Sequence, residues 1–381
     1  MIGYSLKLNK KHLSTNIFIV LQLSAIMILT IVTISSIMSR IVDYLPFKDV
    51  FSSKGVYVNI STIKNYDKNI YNVKNIKDVY LHSIVFIDSE DIKGDFNQYA
   101  YSKNMAELYV PKMKDGVWIN KVHNESNILE IVTTDIENYK VGDIITYSYN
   151  KTKYPAKIVG IISDDAQVLG HDTSKENIID FRDMYKKAKD NTIFFSSEQL
   201  KNLGINQLMP EQMFVTYNDH LNDNDILELN REMYKYGDTY SLSDELNINS
   251  INYIKSDINL IAPMTLCLII LAIMSEISVI MIQTKQELKT YGIICIYGAT
   301  KKQCSIISLF ISCINIVLSV IITVIFITIG RNLFLSNFII DIGFWQLFFC
   351  LAIMIFYILI SLITPFLMIR KVQPRDVLKS E

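Results

Sequence analysis

His82, His123, His171 and His220 fall between residues 41 and 256 of a 381-residue chain, and none has a second histidine at the spacing of a helix-borne zinc site. No Gly-x-Ser-x-Gly elbow accompanies them, and no cysteine lies in that segment, so the segment carries no signature of nucleophilic or metal-assisted hydrolysis. The chain also lacks Gly-x-x-x-x-Gly-Lys-[Ser/Thr], the loop whose backbone amides cradle a nucleotide's phosphates. Asp164-Asp165 and Asn222–Asp225 carry carboxylates without the Asp, Asn and Gly order of a calcium loop, and read as solvated turns. We assign no catalytic residue, metal ligand or cofactor to this chain. The expectation is a protein that binds or transmits rather than one that catalyses.

The polar residues with informative spacing lie in apolar surroundings. Ser305, Ser308, Ser312, Asn315, Ser319 and Thr323 recur at steps of three and four and share one helical face. Small hydroxyl residues let helices approach closely and Asn315 can bond across the contact, so Ser308, Ser312, Asn315 and Ser319 are read as helix-packing or dimer residues. Glu276 is the one carboxylate inside an apolar run, LAIMSEISVIM. A charge in hydrocarbon is costly; near the inner interface, Glu276 reads as a structural hydrogen-bonding residue.

These residues need elements to position them. Half of the chain is hydrophobic and its mean hydropathy is +0.25, an average over two populations. Ile17–Met38, Leu260–Ile282, Ser305–Ile329 and Leu347–Ile369 are nearly uncharged, and each reaches the roughly 20 residues that cross a bilayer as helix. The first run is too long for a signal-peptide core and reads as a retained anchor. Lys7, Lys10 and Lys11, then Lys285, Lys289, Lys301 and Lys302, then Arg370, Lys371, Arg375 and Lys379 mark the cytoplasmic ends; the loop between spans three and four has Arg331 alone. Both termini are therefore expected inside and the large segment outside. The expected boundaries are a lead-in at 1–16, spans at 17–40, 257–283, 304–330 and 346–369, an outer domain at 41–256, a cytoplasmic segment at 284–303, an outer loop at 331–345 and a tail at 370–381.

The outer segment holds 24 Lys/Arg against 32 Asp/Glu, a balance of about −8 that argues against a nucleic-acid partner. With no cysteine, it must fold on its own core. GVYVNIS, DVYLHSIVFID, GVWIN and ILEIVTT read as strands, and VGDIITYSYNKTKYPAKIVGII as a hairpin turning at Asn150-Lys151. Helices are expected near Ser196–Leu203, capped by Ser197, and over Asn222–Tyr236, with Ile226, Leu229 and Met233 on one face. The fold class is a four-helix membrane protein with a large extracytoplasmic α+β domain between helices 1 and 2.

The cytoplasmic stretch KQELKTYGIICIYGATKKQ links spans two and three. Gly298 suits a helix C′ position, and Thr300 with Gln303 makes a capping box that restarts the helix. Glu287, Lys289 and Thr290 are expected in water, and Tyr291, Ile294 and Tyr297 exposed among charges, a surface for a cytoplasmic partner to grip. Read alone, it is also a plain helical hairpin.

This stretch resembles the motif after the second span in FtsX-like and MacB-like permeases: Gly292, Ile293, Gly298, Ala299 and Gln303 stand in the family's order, with Glu287 ahead of them. Thr290 and Tyr297 stand where the family carries Glu and a small apolar residue. The tail PFLMIRKVQPRDVLKSE is similar to the family's Pro-x-x-x-Leu ending, with Pro374 and Asp376 at helix-start positions. The resemblance implies the permease subunit of an ABC transporter, with a second permease subunit, homo- or heteromeric, and surrounding lipids; the Asn-, Ile- and Lys-rich usage points separately to an AT-rich bacterial genome and a Gram-positive plasma membrane. ATP and Mg would sit on a separate ATPase subunit, contacted through Glu287, Lys289, Tyr291, Gly292, Gly298, Thr300 and Gln303. Its work would be to export or extract an amphipathic peptide or antibiotic, or, alternatively, to signal to an extracellular partner such as a cell-wall hydrolase.

Overall fold

The computed structural model describes residues 11–59, 73–89, 91, 97–121, 128–134, 139–163, 166–170, 178–188, 191–206, 208–237, 239–333 and 343–371. Two compact units emerge, Ile41–Tyr253 and a second made of Met1–Arg40 with Ile254–Glu381.

The first unit is α+β. Its strands are β1 (Gly55–Asn59), β2 (Ile76–Val85), β3 (Asp88–Ser89), β4 (Asn97–Tyr101), β5 (Met113–Gly116), β6 (Leu129–Thr133), β7 (Ile144–Tyr149), β8 (Thr152–Ile162), β9 (Gln167–Leu169), β10 (Tyr185–Lys187), β11 (Thr192–Ser196), β12 (Leu208–Tyr217) and β13 (Thr239–Leu242). Eleven of them form one sheet in the order β13-β1-β12-β2-β4-β11-β6-β8-β7-β3, with β5 also on β8. β4–β11 and β6–β8 pair in parallel, and the other neighbours run antiparallel. The β7–β8 hairpin turns at Asn150 and Lys151, whose φ of +50° and +65° are the paired left-handed values of a type I′ turn. Ile145, Tyr147, Ala156 and Ile158 from this hairpin join Leu129, Ile131, Ile193 and Phe195 in one core. A second core packs Val56, Val58, Met213 and Val215 under α5 (Asp223–Met233), through Leu229 and Met233.

Two local readings need correction. GVWIN is not a strand: β5 ends at Gly116, and Ile119–Lys121 form a 3-10 turn that buries Trp118, whose indole N–H donates to the Ala106 carbonyl at 3.1 Å. The helix α4 (Ser197–Asn202) is capped by Ser196, whose hydroxyl accepts from the Gln199 amide, rather than by Ser197. Ser196 alone combines extended backbone with a side chain beside the first free N–H groups. Two more short helices, α2 (Lys48–Ser52) and α3 (Lys103–Leu108), lie among the described residues of this unit.

Most of four long apolar helices falls in the second unit: α1 (Leu13–Tyr44), α6 (Ser243–Ile296), α7 (Lys301–Leu333) and α8 (Phe344–Lys371). All four are long and apolar enough to cross a membrane, and the α+β unit lies in sequence between the first and second. Helix α1 is bonded to each of the others. Gln22 Nε2 donates to Ala272 O at 2.9 Å and the Thr33 and Thr265 hydroxyls meet at 3.0 Å, pairs that ascend α1 while descending α6. Asn16, Val20 and Ser24 instead meet Asn315, Ser319 and Thr323 in step, at 3.4, 3.1 and 3.5 Å, so α1 and α7 run parallel. Gln346 of α8 reaches the Ser35 hydroxyl at 3.2 Å. This alternation of direction is what four successive crossings require.

Candidate functional site

The turn between α6 and α7 is built as a stop and an immediate restart. Helix α6 ends at Ile296, and Gly298 takes φ +95°, a left-handed backbone that a side chain disfavours. The Ala299 amide donates to Ile294 O at 3.2 Å, the six-to-one bond of a Schellman stop, and satisfies one of the carbonyls left over by the helix end. Two residues later the Thr300 amide donates to Gln303 Oε1 at 2.7 Å, and the Gln303 amide donates to Thr300 Oγ1 at 3.3 Å. This reciprocal pair is a capping box that starts α7.

The surface of this turn is apolar and polar by turns. Tyr297 is 88% exposed, and Ile293, Ile296, Lys289 and Thr300 are exposed with it. Ile294 is half-buried. Tyr291 and Gly292, by contrast, are buried, which corrects the expectation of an exposed Tyr291. Its ring packs with Leu288 and Ile294.

Glu287 also departs from expectation. It is 4% exposed rather than in water, and Oε1 accepts from Lys11 Nζ at 2.8 Å and lies 2.6 Å from His12 Nε2. The partners stand on the residues that lead into α1, 275 and 276 positions away. No local pattern announces such a pair; the sequence offers only a basic cluster at one end and an acidic residue near another lysine.

A cavity of about 30 Å³ opens beside Glu287. His12, Asn16, Gln283, Ser312 and Asn315 line it. Asn16 Oδ1 accepts from Gln283 Nε2 at 3.0 Å and from Asn315 Nδ2 at 3.4 Å, so one asparagine joins α1, α6 and α7. Ser312 and Ser361 share a hydrogen bond that links α7 to α8. Ser312, Asn315 and Ser319 are thus covered by helices of this same chain. Ser308 and Glu276 lie on α7 and α6, and their side chains are outside the described residues, as are Lys7, Lys10, Pro374, Asp376, Asp164, Asp165, His123 and His171.

In the first unit His82 is fully buried, with Nδ1 3.0 Å from Glu211 Oε2 and its ring 4.9 and 5.2 Å from those of Tyr99 and Tyr101. Burial outweighs Glu211 and pushes the imidazole below its ordinary range; burial also lifts the Tyr99 phenol to about 12. His220 is exposed. Among the described residues no three His, Cys, Asp or Glu side chains gather as metal ligands.

No protein-family model and no curated protein matches the chain. Among solved structures, the periplasmic region of MacB from Actinobacillus actinomycetemcomitans matches 52% of this chain and 92% of its own length, at 12% identity and a TM-score of 0.31. Part of the chain is likewise similar to the extracellular domain of the noncanonic ABC-type transporter YknZ from Gram-positive bacteria, over 50% of this chain and 99% of that one, at 9% identity and a TM-score of 0.30.

Proposed function

We propose that this chain is the permease subunit of an ABC transporter of the FtsX-like and MacB-like kind, seated in a plasma membrane with both termini inside. The observation that carries the reading is the turn at Gly298. A Schellman stop and a capping box fix its backbone at both ends, yet Tyr297, Ile293 and Ile296 remain uncovered beside Lys289. A connector alone has no use for a rigid, apolar, uncovered knuckle at a water-facing helix end; a docking site for an ATPase does. The ATPase would hold ATP and Mg on its own chain. A second permease, of the same or another sequence, would complete the assembly.

In this reading ATP hydrolysis on the inside moves the α+β domain on the outside, to export or extract an amphipathic cargo such as a peptide or antibiotic. The supports are the order of the motifs, the four helices of alternating direction and the domain inserted after the first. The test compares Gly298→Leu with Gly298→Asn in the complex purified from its native membrane. Asparagine enters left-handed backbone more readily than other L-residues, so Asn is expected to keep more permease-dependent ATPase activity than Leu, which lowers it at least tenfold. Equal activity in the two would remove the docking role from this turn.

A further inference from the structure

The cavity beside Glu287 lies among four helices, is lined by polar and apolar side chains alike, and is bounded by two acceptor atoms without a direct partner at hydrogen-bond geometry. Asn315 is 1% exposed; its Nδ2 is engaged with Asn16 while its Oδ1 has no direct partner. Glu287 shows a similar division: Lys11 and His12 take Oε1, the Thr290 hydroxyl lies close to the carboxylate, and Oε2 has no partner at full hydrogen-bond geometry. Both residues line the one space. A buried acceptor left without a donor costs the full desolvation of the group, about 1–3 kcal/mol. A volume of about 30 Å³ exceeds the roughly 10–15 Å³ that one water needs.

The charge at the site selects the occupant. Lys11 at 2.8 Å already answers the Glu287 carboxylate, so a metal cation at Oε2 would face an ammonium across the same group. A neutral molecule with two donors and no steric demand meets both acceptors without that repulsion. Water is that molecule.

We propose that Lys11, His12, Glu287, Asn315 and a buried water form a hydrated polar joint that ties the lead-in of α1 to the cytoplasmic ends of α6 and α7. Glu287 sits eleven residues before Gly298 on the helix that ends in the proposed docking turn. Lys11, His12 and Glu287 are therefore positioning residues for that turn, a role that rests on the docking reading; the tie itself does not. Polar contacts through water can reseat at small cost, so the joint yields where an apolar seam would resist.

The experiment uses the full chain in lipid nanodiscs, with amide hydrogen exchange read over residues 11–20 and 280–291. Glu287→Gln and the milder surface change Lys11→Gln are each expected to speed exchange in both segments by about tenfold. The charge swap Lys11→Glu with Glu287→Lys is expected to recover part of the protection. A cryo-EM map that resolves waters is expected to show one within hydrogen-bond reach of both Glu287 and Asn315. Unchanged exchange in both single variants would overturn the tie, and an empty cavity or a metal ion in it would overturn the hydrated joint. If exchange responds as expected while Gly298→Leu leaves ATPase coupling intact, the joint stands and the docking reading falls; the reverse pattern removes the joint alone.

Discussion

At the scale of single residues, environment rather than residue type decides the chemistry. Gly298 has nothing within 4 Å of where a Cβ would stand, so replacing it costs backbone energy and not packing. That backbone cost is about 1–2 kcal/mol for an ordinary L-residue in left-handed conformation, enough to open the stop at the end of α6. His82 makes a second case. Its folded value lies below the ordinary 6.5 because burial disfavours the cation. The unfolded chain therefore binds a proton near pH 6.5 while the folded chain does not. Stability from this residue is complete above that pH and drains as pH falls through the folded value. Urea unfolding followed by Trp118 fluorescence in a Trp345→Phe background is expected to show a lower midpoint at pH 5 than at pH 7. His82→Gln is expected to flatten that slope, whatever its overall cost. An undiminished slope in the variant would assign the acid sensitivity to other groups. Neither the burial of His82 nor that of Glu287 was legible in the sequence, since each depends on a partner more than a hundred positions away: Glu211 for one, Lys11 and His12 for the other.

Among elements, legibility followed the range of the forces involved. Local signals sufficed for the β7–β8 hairpin, the α5 face of Leu229 and Met233, and the stop and restart at Gly298 and Thr300. Each is fixed by backbone preference or by side chains within four residues. GVWIN failed because β propensity was offset by Trp118, whose ring is drawn inward against Tyr101 and Phe194 while its N–H finds Ala106. Strands β11 to β13 lie in stretches with no clear alternation, and they pair with strands far back along the chain. The stripe on α7 could be read as one face, but which helices cover it could not: α1 meets it in step at Asn16, Val20 and Ser24, and α8 meets Ser312 through Ser361. The hairpin turn also offers a test. Lys151 adopts φ +65° where glycine is at ease, so Lys151→Gly is expected to stabilise the α+β unit by about 1 kcal/mol. A rise in urea midpoint at unchanged slope would show it, and a fall would mean that the turn relaxes to another type in solution.

For the whole molecule, four helices of alternating direction and a sheet-based domain between the first two were both visible in hydropathy and charge, because the bilayer imposes length and apolarity on sequence directly. What the molecule works with is not written there in the same way. The uncovered turn around Tyr297 is proposed to receive an ATPase. The most direct measurement is to purify the tagged chain from its native membrane in mild detergent, with and without nucleotide trapping, and identify stoichiometric partners by mass spectrometry. The expected partner is an ATPase with a phosphate-binding Gly-x-x-x-x-Gly-Lys-[Ser/Thr] loop, retained by the intact chain and released by Gly298→Leu. A chain that purifies without any ATPase, even from nucleotide-trapped membranes, would contradict the docking role.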